Sequence, residues 1–161
     1  MTSIHLDLEH FSFTELAIQS AFGLAGLIFV LLFHGVTINF ILMRFNNITR
    51  LDFVSEKFNL VLFHFYLSFA FIALIHIIEV ILWALMLLLL GLVLSPIEAI
   101  LFAGSTYTTI GFISNIMPFE WQVLPLFIAF SGLFSIAWTT SIMIGMTNIY
   151  RDAWLKKRND L

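Results

Sequence analysis

Apolar positions dominate three stretches of the chain, 16–43, 58–94 and 121–146, and each exceeds the roughly 20 residues needed to cross a hydrocarbon core of about 30 Å. Between the first two, residues 44–57 mix Arg44, Arg50 and Lys57 with Asp52 and Glu56 around Asn46-Asn47, the composition of a short solvated connection. Between the second and third the pattern differs. Ser95-Pro96-Ile97-Glu98 combines an N-cap serine, a proline at the first helical position and a glutamate three residues after the serine, so a helix is predicted to open there. It runs over 96–107, and at roughly 18 Å it reaches the middle of a bilayer without crossing it. A polar, glycine-bearing interruption follows, from Ser105 to Ile113. Irregular backbone at membrane depth persists only where it is buried in protein or lines water, since unsatisfied amides in hydrocarbon cost several kcal/mol each. The pattern therefore predicts an all-α membrane protein: three transmembrane helices, with a re-entrant pore helix at 96–107 and a pore loop at 108–113 between the second and third.

Composition agrees with this class. Of the 161 residues, 61% are hydrophobic and 11% charged, where a soluble domain carries about 25% charged residues; the mean hydropathy is +1.04. Cysteine is absent, which excludes disulfides and thiolate metal sites. The leader 1–15, with His5, Asp7, Glu9, His10 and Glu15, lacks the basic start and small-residue cleavage site of a removable signal peptide. All seven Lys and Arg fall in two places, at Arg44, Arg50 and Lys57 and at Arg151, Lys156, Lys157 and Arg158. The positive-inside rule makes both segments cytoplasmic, so the N-terminus lies outside and the loop enters from the outer face. The tail 148–161, with Trp154, is expected at the cytoplasmic headgroups. No phosphate-binding loop, nucleophile elbow or basic nucleic-acid patch is present, so neither an enzyme nor a nucleic-acid partner is expected.

Polar residues inside the spans are the remaining candidates. Gly23, Gly26 and Gly35, with Ser20 and Thr37, mark the first span as a packing helix, and His34 and Asn39 are expected to bond a neighbouring helix. The second span, if helical over 58–94, is roughly 55 Å long and must tilt or project. Within it His76 and Glu79 share a face with Ile72 and Trp83. A carboxyl group at this depth is costly, and the pair supports two readings: a self-satisfied lock between helices, or a gating, proton-linked or ion-handling role. His34 and His64 stand at similar depths if the first two spans are antiparallel neighbours, the geometry of a bis-histidine haem or a metal site. The chain has neither a His-x-x-x-His nor a Glu-x-x-His cluster, and no metal or cofactor is expected. The third span carries Ser131, Gly132, Ser135, Thr139, Thr140, Ser141, Gly145 and Thr147, residues suited to close packing or to a water-facing surface.

Thr108-Thr109-Ile110-Gly111-Phe112 resembles the selectivity filter of potassium channels, Thr-Val-Gly-Tyr-Gly. The likeness extends to His76, Glu79 and Trp83-Ala84, to Thr106-Tyr107, to Pro118 and Glu120-Trp121, and to Gly132 and Trp138-Thr139-Thr140. It covers about 72–144 and is similar to the small bacterial potassium-channel-like pore-loop proteins that carry an extra N-terminal helix. The resemblance implies a homotetramer in the cell inner membrane, in contact with membrane lipid. The carbonyls of Thr109, Ile110, Gly111 and Phe112 and the Thr109 hydroxyl would coordinate potassium or another monovalent cation, with Tyr107 and Thr108 closing the pore helix behind them. The third span would line an inner vestibule, with Gly132 or Gly145 as hinge. Where the family has Gly-Asp after the aromatic residue, this chain has Ile113-Ser114. A β-branched residue is unsuited to the left-handed backbone that the filter glycine adopts, so the outer filter is expected to be rearranged. The resemblance thus implies a cation channel with weakened selectivity, or alternatively a non-conducting accessory subunit associated with other membrane subunits.

Overall fold

The computed structural model describes residues 13–111, 116–118 and 121–159. These form four helices: α1 (Phe13–Val54), α2 (Phe58–Leu89), α3 (Pro96–Tyr107) and α4 (Leu124–Asn159), with no strand among the described residues. The helices α1, α2 and α4 are each long and apolar enough to cross a membrane. They pack mutually along their lengths, while the short α3 rests against α2 and α4.

Two of the long helices extend beyond the expected spans. Helix α1 continues through 44–54, where a connection was predicted, because no glycine or proline interrupts the segment and Phe45, Thr49 and Asp52 keep a single face buried. Asp52 is held there by His64 Nδ1, which donates to its Oδ2 at 2.9 Å. The 42-residue helix is roughly 63 Å long, about twice the hydrocarbon thickness. Helix α4 likewise runs through the predicted tail, its C-terminal part fixed by Ala153 against Phe58 and Val61. The second span is shorter than expected, ending at Leu89 rather than 94. Gly91 adopts φ 67, and the bonds Gly91 N–H to Leu88 O and Leu92 N–H to Leu87 O close a Schellman turn.

Small residues set the helix contacts. A Cβ at Gly26 would strike the Trp83 ring, one at Gly35 the Trp138 ring, and one at Gly23 the Phe127 ring. These three positions place α1 against α2 on one side and α4 on the other. The largest buried cluster joins Val30 of α1, Trp83 and Leu87 of α2, Phe102 and Tyr107 of α3, and Ile128 of α4. A second gathers Phe45, Ile72 and Met146 further along the bundle.

Candidate functional site

Helix α3 forms at the bounds its sequence dictates. Ser95 in an extended conformation accepts from the Glu98 amide, Pro96 occupies the first turn, and Ala99, Phe102, Ala103 and Tyr107 bury one side. At its far end Gly132 of α4 lies directly against the Tyr107 carbonyl, where a Cβ would collide with the oxygen. Only glycine lets the two backbones meet there.

Beyond Tyr107 the backbone turns sharply. The amide of Thr108 bonds Gly104 O (3.0 Å), that of Thr109 bonds Thr106 O (2.9 Å), and those of Ile110 and Gly111 both bond Ser105 O (2.9 and 3.1 Å). Four successive N–H groups are thus folded back onto the last turn of α3. The carbonyls of Thr108 to Gly111 accept no hydrogen bond among the described residues. Thr109 has φ 61 and Gly111 φ 64, with Ile110 between them on the ordinary side. Thr109 is β-branched, so its left-handed conformation is strained. The turn is also open: Ile110 is 72% exposed. Phe112, Ile113 and Ser114, the rest of the expected filter and its modifying pair, lie outside the described residues.

Behind this turn, close to the midpoints of the long helices, all four helices contribute to one buried polar cluster. His34 Nδ1 of α1 donates to Glu79 Oε1 at 2.7 Å, and both side chains are fully buried. Tyr107 of α3 donates to Glu79 Oε2. His76 Nδ1 lies 2.8 Å from the Tyr107 hydroxyl and its Nε2 3.0 Å from Thr139 Oγ1 on α4. His34 Nε2 reaches the same Thr139 oxygen at 3.4 Å. The five side chains make a closed ring in the order Glu79, Tyr107, His76, Thr139, His34. Two aromatic neighbours flank it, with Trp138 packed on His34 at 5.7 Å between centroids and Trp83 Nε1 donating to Ser131 Oγ at 2.8 Å. Ser135, fully buried on the same face of α4, has no hydrogen-bond partner among the described residues.

The expected His76–Glu79 pair takes a different form. Its closest approach is 3.7 Å, and the two residues are bridged by Tyr107 rather than bonded to each other. The two histidines paired by depth in the sequence bond different carboxylates, His34 Nδ1 bonding Glu79 and His64 Nδ1 bonding Asp52. Ligating atoms of His34, His76 and Glu79 do converge within 4.8 Å of one another, the spacing of a metal-binding group, but each has a protein partner. His34, Tyr107 and Thr139 are the members that the pairing at 76 and 79 did not reveal. The available signal was a hydroxyl at every fourth position of α4, since Ser131, Ser135 and Thr139 all face inward. The other small and hydroxylated residues expected along that span, Thr140, Ser141, Gly145 and Thr147, lie on its exposed surface. Thr140 and Thr147 bond their own backbone at Ile136 O and Met143 O, both at 2.8 Å. Of the two candidate hinge glycines, Gly132 is occupied by its contact with α3 and Gly145 has open space around it. No protein-family model, curated protein or solved structure matches this chain.

Proposed function

We propose that this chain is one subunit of a passive cation channel of potassium-channel architecture, four copies of which surround a common axis in a membrane. The observation that carries the reading is the one-sided backbone after α3. With every amide from Thr108 to Gly111 turned into the helix, the carbonyls are the groups left to face outward, and rings of carbonyls are what replace the hydration shell of a permeating ion. The negative end of the α3 dipole adds to the attraction for a cation at the same place.

In this reading α3 is a re-entrant pore helix entering from the outer face, as the placement of the Lys and Arg residues suggests. The exposed small and hydroxylated surface of α4, from Thr140 to Thr147, faces the inner vestibule. Potassium or another monovalent ion passes Thr109, Ile110, Gly111 and Phe112, while α1 packs at the periphery. The test is cation flux through purified protein in liposomes. Wild-type protein passes potassium, and Gly111→Ala and Thr109→Ala change the rate or the potassium-to-sodium ratio. Silence of the wild type across all voltages and pH values would remove the reading.

The sequence Ile113-Ser114 favours a second reading, in which the loop has lost conduction and the chain serves as an accessory subunit. A purified complex holding other polypeptides, or a stoichiometry other than four, is its expected signature. A homotetramer with ordered ions on its axis would dismiss it.

A further inference from the structure

We infer that the buried ring of Glu79, Tyr107, His76, Thr139 and His34 is a proton-binding site that holds one proton beyond a carboxylate with two neutral imidazoles, and that this proton positions the end of α3. The inference deepens the proposed function by naming a regulating ligand for the same loop, and it rests on a count of hydrogens. The ring has five links: His34 to Glu79, Tyr107 to Glu79, His76 to Tyr107, His76 to Thr139 and His34 to Thr139. A hydrogen bond needs one hydrogen per link.

With Glu79 ionised and both histidines neutral, the available hydrogens are four: one on each imidazole, one on Tyr107 and one on Thr139. Tyr107 gives its hydrogen to one Glu79 oxygen, and His34 Nδ1–H gives its own to the other. His76 must then use Nδ1–H toward the Tyr107 oxygen, whose hydrogen is already committed. The bare Nε2 atoms of both histidines now face the Thr139 hydroxyl, which can donate to only one of them. The other link sets a nitrogen lone pair against an oxygen lone pair. A fifth hydrogen on either Nε2 resolves this, because Thr139 then accepts from one imidazole and donates to the other. The total is the same wherever the extra proton sits in the ring.

The same proton settles the charge. A lone carboxylate at this depth is expensive, and the fifth proton makes the ring neutral as a whole. The ionisable groups facing it are His34 from α1, His76 and Glu79 from α2 and Tyr107 from α3. From α4 come only Thr139 and Ser135, neither of which titrates. Neutrality is therefore met inside the ring.

The ring reaches the loop through Tyr107, the last residue of α3, whose neighbours Thr108 to Gly111 carry the turned-back amides. When the proton leaves, either His34 or His76 must turn from Thr139, and the Glu79 and Tyr107 contacts shift with it. Helix α1, otherwise a peripheral element, thereby acts on the loop, and His34 is its positioning residue.

Glu79→Gln provides a sharp test. The amide supplies one donor and one acceptor to the ring, so with neutral histidines it closes all five links at any pH. Nitrogen NMR of histidine-labelled wild-type protein in bilayers should show one imidazole of the His34 and His76 pair with both nitrogens protonated, assigned through His34→Asn and His76→Asn. Raising the pH should return an unprotonated nitrogen, with faster amide exchange at 105–111. In Glu79→Gln both imidazoles should be singly protonated from mildly acidic to basic pH, and over that range the exchange at 105–111 should lose the excess pH dependence seen in the wild type. Two singly protonated imidazoles in the wild type at neutral and mildly acidic pH would overturn the inference, as would an exchange profile at 105–111 that ignores pH. These readouts need no ion flux. A protein that shows them without conducting retains the proton site and loses the channel, and a conducting protein without them does the reverse.

Discussion

Helices α2 and α3 end in the same hydrogen-bonded turn, built from different residues. Each closes with an amide bonded five residues back and another bonded three back, and each places the residue after the cap in the left-handed region, Gly91 at φ 67 and Thr109 at φ 61. At Gly91 that conformation is free of a Cβ penalty, nothing packs within reach, and the turn only reverses the chain. At Thr109 the side chain is β-branched and the conformation costs about 1–2 kcal/mol. Strain of this kind survives where the surroundings over-determine it and clusters at functional positions. Here the neighbours of the turn supply that constraint: Tyr107 is clamped to Glu79 from one side and pressed by Gly132 from the other.

The largest effect should come from removing that clamp. Tyr107→Phe keeps the ring of the side chain but leaves Glu79 Oε2 and His76 Nδ1 without their partner, at a cost of about 2–3 kcal/mol in reversible unfolding from mixed micelles. The matching change at the end of α2, Leu89→Ala at a site 77% exposed, should fall within about 0.5 kcal/mol. Equal losses at the two ends would erase the distinction between them. Next in size are the glycines. Gly91→Ala and Gly111→Ala each force an L-residue into positive φ and should cost about 1–2 kcal/mol, but only Gly111→Ala should abolish cation flux in liposomes. Thr109→Gly should move the other way, stabilising the protein by about 1 kcal/mol as the strain is relieved, while potassium-to-sodium discrimination falls. A destabilised Thr109→Gly protein would mean the threonine is not strained. The smallest change is expected at the start of α3, where Ser95→Ala removes a long 3.5 Å cap bond and should cost about 0.5 kcal/mol in the same unfolding measurement.

How much of this was legible in the sequence depends on the distance over which each feature is encoded. The start of α3 was readable to the residue because Ser95, Pro96 and Glu98 act within one turn of one another. The packing role of Gly23, Gly26 and Gly35 was readable for a similar reason, since small side chains on an apolar helix have few other uses. The shared face of Ile72, Glu79 and Trp83 follows from helical spacing, and all three are buried. The continuation of α1 through Arg44, Asn46, Asn47 and Arg50 was hidden because polar residues on its exposed side outnumber the three, Phe45, Thr49 and Asp52, that hold the segment in the bundle. The partner of Glu79 was hidden for a deeper reason. His34 lies 45 residues away on another helix, and no local rule links them until α1 and α2 are laid side by side.

The turned-back amides from Thr108 to Gly111 have one more implication, for what the loop can recognise at all. Its backbone donors are spent on the last turn of α3 while, among the described residues, its carbonyls accept no bond, so in the proposed channel its backbone offers an ion a single hydrogen-bonding polarity. In the proposed channel, chloride, phosphate and other acceptor-only solutes would find no backbone hydrogen to hold there, whereas alkali ions, ammonium and water each bring positive charge or a hydrogen. Discrimination between classes of solute would then begin in the backbone, before any side chain takes part.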